Sequence, residues 1–146
     1  MSNNEVVIVS ASRTAVASLG KSLKNISADN LGAKVILDQI NKLKLKKNNI
    51  DEVIFGQVLT GGCGQNPARL AAIKAGLSKE TPAYVVNQVC GSGLRSIIAG
   101  YQGIVTGNSK IVIAGGQENM SLAPHVIHLR EGKKIGDTEL IDTMIK

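Results

Sequence analysis

Short β-rich runs alternate with helical stripes along this chain, and that alternation restricts the folds open to it. Val6 to Ser10, Val53 to Leu59, Ala83 to Val89 and Ile111 to Ala114 are apolar and rich in β-branched residues. Each is short and nearly continuous, the pattern of a strand covered by helices on both faces. Leu31, Val35, Ile36, Ile40 and Leu43 recur at helical spacing behind Ser27, a good N-cap, with Asp29 in the first turn. Asn66 and Pro67 have the order of N-cap and N1 of a second helix, with Gly76 as its stop. Leu94, Ile97, Ile98, Tyr101, Ile104 and Val105 form a third stripe, stopped by Gly107. Leu19 to Leu23, with Gly20 inside, reads as a loop. The order β-α-β-α-β-α-β predicts a layered α/β unit with a mainly parallel sheet and right-handed crossovers.

Past Met120 the character changes. "SLAPHVIHLREGKKIGDTELIDTMIK" carries a basic cluster and predicts no strand. Its last piece, Thr138 to Lys146, reads as an uncapped helix. The expected division is an α/β core over 1–119 and a separate, incomplete segment over 120–146.

Composition narrows the class. A chain of 146 residues is one domain's worth, and 43% hydrophobic against 19% charged residues argues for a packed core rather than disorder. No apolar run is long enough to span a bilayer, so no membrane association is expected. "MSNNEVVIVSAS" shows neither a secretory nor a transit pattern. The two cysteines, Cys63 and Cys90, suit a reducing compartment better than a disulfide scaffold. Cys63 lies in a glycine-rich loop without a C-x-x-C partner, so no metal site is expected.

The charge balance is basic, with 17 Lys and Arg against 11 Asp and Glu. The excess gathers at Lys42, Lys44, Lys46 and Lys47, and again at Arg130, Lys133 and Lys134. It suggests an anionic partner, of which nucleic acid is one. Two Tyr, one Phe and no Trp leave little to stack on bases. The first lysine run reads as a solvated helix end.

The chemistry concentrates in "YVVNQVCGSGLRS", Tyr84 to Ser96. Cys90 falls where the third strand meets the third helix, at the expected N-terminus of a buried helix. Free N–H groups and partial positive charge at a helix N-terminus favour a thiolate. Gly91, Ser92 and Gly93 would line the substrate there, the two glycines letting it approach the backbone closely. Turn N–H groups could stabilise an oxyanion, which suits acyl transfer through a thioester. Two alternatives stay open. Cysteine is among the most buried residue types, so Cys90 could be a small core hydrophobe. Gly91 and Gly93 also give G-x-G, the start of a Rossmann-like nucleotide-binding turn, with Glu118 as a ribose-binding acid. Ser96, however, stands where that fingerprint wants Gly or Ala.

"NQVCGSGL" resembles the active-site segment of the thiolases. "VVIVSASRTAVAS", "DEVIFGQVLTGGCGQNPAR", "AGGQENMSLAPHV" and "GKKIGD" resemble further thiolase segments, in the same order, nearest the biosynthetic cytosolic type. The resemblance implies a layered thiolase fold and an acyltransferase. Cys90 would take an acetyl group from acetyl-CoA as a thioester, its backbone N–H helping to form an oxyanion hole. A second acetyl-CoA would lose an α-proton and attack, giving acetoacetyl-CoA and CoA; the reverse is thiolysis. Gln65, Asn66, Pro67 and Arg69 would form a dimer-interface segment near the site. The stretch from His125 through His128, Arg130, Lys133 and Lys134 would join dimers into a dimer of dimers. Its positive charge suits anionic CoA better than nucleic acid. CoA thioesters would be substrates, with no further cofactor, in the cytoplasm.

The sequence also departs from the family. Thiolases are much longer, and place a catalytic histidine in a GHP motif and a second catalytic cysteine in a CxGGG motif. Neither motif occurs here, and the two histidines, His125 and His128, lack that context. Leu70 and Gln117 stand where relatives often carry Gln and Met. The expectation is therefore the N-terminal part of a thiolase, without full turnover by itself.

Overall fold

A computed structural model describes residues 5–132 and 135–146. The elements are α1 (Ala28–Leu43), β1 (Glu52–Gly56), α2 (Pro67–Lys74), β2 (Ala83–Val86), α3 (Ser92–Val105), β3 (Val112–Gly116), β4 (His125–Val126) and β5 (Ile141–Asp142). Short 3-10 turns occupy Lys47–Asn49 and Met120–Leu122.

The helix boundaries follow local chemistry. Ser27 precedes α1 in extended backbone, and Lys44 ends it in a left-handed conformation, its N–H directed at the Asn41 and Ile40 carbonyls. The four lysines of the first basic run are exposed around this helix end, and Lys42 pairs with Asp38 one turn earlier at 2.7 Å. Asn66 caps α2 by accepting the Arg69 N–H at 3.0 Å, with Pro67 next, where a missing N–H costs nothing. Gly76, at φ 77°, closes α2.

β1 lies between β2 and β3, parallel to both; Phe55 is in register with Val85 on one side and Gly115 on the other. Strand alternation then divides β1 between two layers. Val53 and Phe55 join Ala33, Ile36, Ile40, Ala68, Ala71 and Ala72 in the core formed with α1 and α2. Ile54 and Gly56 face α3. Ile36, Val53 and Ile54 are fully buried, each contributing about 1.5–3 kcal/mol by leaving water.

Several expectations change. Val6 to Ser10 joins no ladder among the described residues, and Ile8 is 80% exposed. A strand needs a hydrogen-bonded neighbour, and no described residue supplies one. β1 and β2 end three residues earlier than their apolar patterns, because Gln57–Leu59 and Asn87–Val89 peel away into turns. The helices cover only the central strand fully; β2 and β3 remain partly open. Nor is α3 a buried helix: only Ser92, Ser96 and Gly100 are buried, while Leu94 and Tyr101 stand 65% and 55% exposed.

Past β3 the chain does form strands. His125 pairs with Asp142 and Val126 with Ile141, antiparallel. The expected helix over Thr138–Lys146 is replaced by β5 and a turn. Asp142 accepts the Met144 N–H at 2.9 Å, and the Thr143 hydroxyl donates to the Pro124 carbonyl at 2.7 Å. Such side-chain-to-backbone bonds compete with helix formation.

Candidate active site

The carboxyl ends of the parallel strands converge on one edge of the sheet, where ligands of open α/β sheets bind. Gln57 and Val58 leave β1 there, Asn87 and Gln88 leave β2, and Gln117 and Glu118 leave β3. Cys90 stands on the turn from β2 into α3, two residues before the first helical residue. It is a free thiol, exposed among the described residues and outside their buried core. Cys63, also free, is half-buried and directs its Sγ toward the Leu59 and Gly61 carbonyls at 3.5 and 3.6 Å.

Glycines bring α3 onto the sheet. A Cβ on Gly56 would lie 2.6 Å from the Gly93 nitrogen, and one on Gly116 would lie 3.6 Å from the Gly93 Cα. Only bare backbone on the strands lets the start of α3 sit this close. Farther along, Gly100 approaches Val112 and Ala114 in the same way. The fully buried Ser96 hydroxyl lies 2.7 Å from the Gly93 carbonyl and 2.6 Å from that of Gly115; donated to Gly115, its single proton ties helix to strand.

The turn itself is closed by its own polar groups. Ser92 is buried; its Oγ accepts the Gln88 N–H at 2.8 Å and donates to the Val89 carbonyl at 2.6 Å. Its hydroxyl thus serves the backbone. Gly91 is the residue before the helix, and a Cβ on Gly93 would meet nothing within 4 Å, leaving that side of the turn open to a ligand.

Beside the turn lies a buried polar layer. Gln117 donates to Gln57 at 2.9 Å, and Gln57 donates to the Leu59 carbonyl at 3.0 Å. Glu118 accepts the Val58 and Leu59 N–H groups at 2.8 and 3.4 Å. Glu118 is thereby a backbone clamp on the loop after β1, which removes it from the ribose-binding role. Its other oxygen, and the Gln117 Oε1, are buried without a partner among the described residues.

The other residues expected at the site lie elsewhere in the chain. Asn66 donates to the Ala83 carbonyl at 2.8 Å, and Arg69 donates to the Thr81 and Lys79 carbonyls at 2.6 Å each. Both therefore serve the start of β2, whereas Cys90 lies past its end. Pro67 is buried and Gln65 exposed. His125 sits on β4 with its Nε2 3.9 Å from Asp142 Oδ2; His128 and Arg130 are exposed in the following loop. Lys133 and Lys134 lie outside the described residues. No group of three His, Cys, Asp or Glu among the described residues could hold a metal ion, and no described helix is long and apolar enough to cross a membrane.

Asn87 and Gly56 were not singled out in the sequence, and Ser96 was read only as a departure from the dinucleotide fingerprint. Gly56 had a signal, a glycine inside an apolar run, which marks close backbone approach.

Residues 6–146 match the family model described as thiolase, N-terminal domain. The chain is 53% identical over 146 residues to the acetyl-CoA acetyltransferase of Rhizobium meliloti (strain 1021), covering 100% of this chain and 37% of that protein. It is 54% identical over 142 residues to the acetyl-CoA acetyltransferase of Cupriavidus necator, covering 97% and 36%. It is 46% identical over 143 residues to the cytosolic acetyl-CoA acetyltransferase of Rattus norvegicus, covering 98% and 36%. The chain thus spans little more than a third of the length of these relatives.

Proposed function

Since the chain belongs to the thiolase family, we propose that Cys90 is the nucleophile of an acetyl-CoA acetyltransferase. One observation carries this: a free, exposed thiol stands two residues before the first residue of α3, at the carboxyl edge of a parallel sheet.

The Cys90 thiolate adds to the carbonyl carbon of acetyl-CoA. The bond from that carbon to the CoA sulfur breaks, and CoA takes up a proton and leaves. A second acetyl-CoA gives up an α-proton to a base, and its α-carbon bonds to the cysteine-bound carbonyl carbon. Cys90 leaves as thiolate, releasing acetoacetyl-CoA; the reverse is thiolysis. The backbone N–H of Cys90 offsets the developing oxyanion charge, those of Gln88, Val89, Gly91 and Ser92 being bonded within the turn. Gly93 leaves room for the thioester. Because the GHP and CxGGG motifs are absent from these 146 residues, the chain alone stops at the acetyl-cysteine. A cytoplasmic location fits the relative named cytosolic. A dimer of dimers built through residues 65–69 and the loop after His125 belongs to the same proposal.

A chimera tests it: this chain replaces the matching segment of the Rhizobium meliloti relative, and thiolysis of acetoacetyl-CoA is assayed. The chimera should turn over, and Cys90→Ala should lower kcat by on the order of 10⁴-fold or more, as loss of a covalent nucleophile does. Turnover that survives Cys90→Ala would refute the proposal.

A further inference from the structure

Val89, immediately before Cys90, has φ 49°. Among the described residues the only other non-glycine with positive φ is Lys44, which ends α1 in a common capping conformation. Val89 has no such reason. A β-branched side chain is strained in the left-handed region, and strain of this kind persists only where its surroundings over-determine it. Packing does not hold it, because Val89 is 64% exposed.

Hydrogen bonds hold it instead, from both sides. The Val89 N–H donates to Asn87 Oδ1 at 3.0 Å, and the Val89 carbonyl accepts from Ser92 Oγ at 2.6 Å. Ser92 is itself fixed by the Gln88 N–H, and its own N–H reaches the Val89 carbonyl at 3.0 Å. Asn87 is tied across the sheet, its Nδ2 donating to the Val58 carbonyl at 3.4 Å. Val58 is in turn held through its N–H by Glu118. A continuous path thus runs from β3 through the loop after β1 to the peptide that precedes the thiol.

We propose that Asn87 and Ser92 are positioning residues: they lock Val89 in its left-handed conformation and so aim the Cys90 thiol at the substrate. The proposal rests on Cys90 being the nucleophile, and its test separates the two claims.

The test is the rate of Cys90 alkylation by iodoacetamide, followed by peptide mapping, with Cys63 as internal reference. In the parent chain Cys90 should react faster than Cys63. Asn87→Ala and Ser92→Ala should each slow Cys90 by at least about tenfold, within the roughly 100-fold that misplacement by about 1 Å costs, and leave Cys63 unchanged. Asn87→Asp keeps the Oδ acceptor for the Val89 N–H but loses the Nδ2 bond to Val58, so it should restore part of the rate. Asn87→Ala combined with Val89→Gly should restore it too, because glycine adopts positive φ without a clamp. Unchanged Cys90 reactivity in both alanine variants, an equal fall at both thiols, or no rescue by either restoring change overturns the positioning role. A parent Cys90 no faster than Cys63 removes the nucleophile reading, and positioning falls with it.

Discussion

One carboxylate oxygen of Asp51 accepts the Lys110 and Ile111 N–H groups at 2.7 and 2.8 Å, fixing the backbone just before β3. The bonds from Ile111 and then Lys110 hold its carboxyl below the usual carboxylate range. A carboxyl depressed in the folded state stabilises above its unfolded value, near pH 4, and that contribution fades as pH falls through the folded value. Asp51→Ala should therefore lower the urea midpoint at pH 7, and the difference from the parent should shrink by pH 3. A difference constant across that range would mean that the carboxylate's charge contributes nothing. Residues of this kind divide by legibility. Asn66 could be assigned because cap and proline are neighbours in sequence. The bonds to Asp51 span 59 and 60 residues, and no local pattern reveals them. The conformation of Val89 was hidden for a related reason, since a β-branched residue in an apolar run reads as strand.

At the scale of elements, α1 and α3 were legible from apolar spacing, α1 and α2 from the residues at their N-caps, and α2 and α3 from the glycines that follow them. The parallel sheet was legible from their alternation with the strand runs. What local pattern missed depends on partners. Val6 to Ser10 has strand composition but no neighbour, and β4 and β5 are too short for a periodic signal. The contact of α3 with the sheet depends on Gly56 and Gly116, and it sets where the cysteine turn begins. Gly56→Ala would place a methyl against the backbone at Ser92 and Gly93. Overpacking of this kind costs about 1–3 kcal/mol, so the urea midpoint should fall. Alkylation of Cys90 should change with it, because α3 must lift from the strand. Gly20→Ala, at a position where an added Cβ meets nothing within 4 Å, is the comparison for stability, although its φ of 71° adds some strain. A midpoint in Gly56→Ala equal to that of the parent would show that the close approach of α3 is dispensable.

At the scale of the whole chain, the buried core lies between the sheet and α1 and α2, while among the described residues the outer face of α3 and the Cys90 thiol are exposed. The site was legible only in part. The place of Cys90 between strand and helix could be read from local pattern, but its exposure and the network around it could not. Asn66 and Arg69 bond to the backbone at and before the start of β2, and the chemistry proposed for Cys90 rests on the thiol and the turn that carries it. The most direct measurement of that chemistry is incubation of the chain with acetyl-CoA, followed by peptide mapping of the acetylated residue. The acetyl group should appear on Cys90, be released by hydroxylamine as a thioester, and be absent in Cys90→Ala. Acetylation of Cys63 in preference to Cys90, or of lysines alone, would contradict the assignment of Cys90 as the nucleophile.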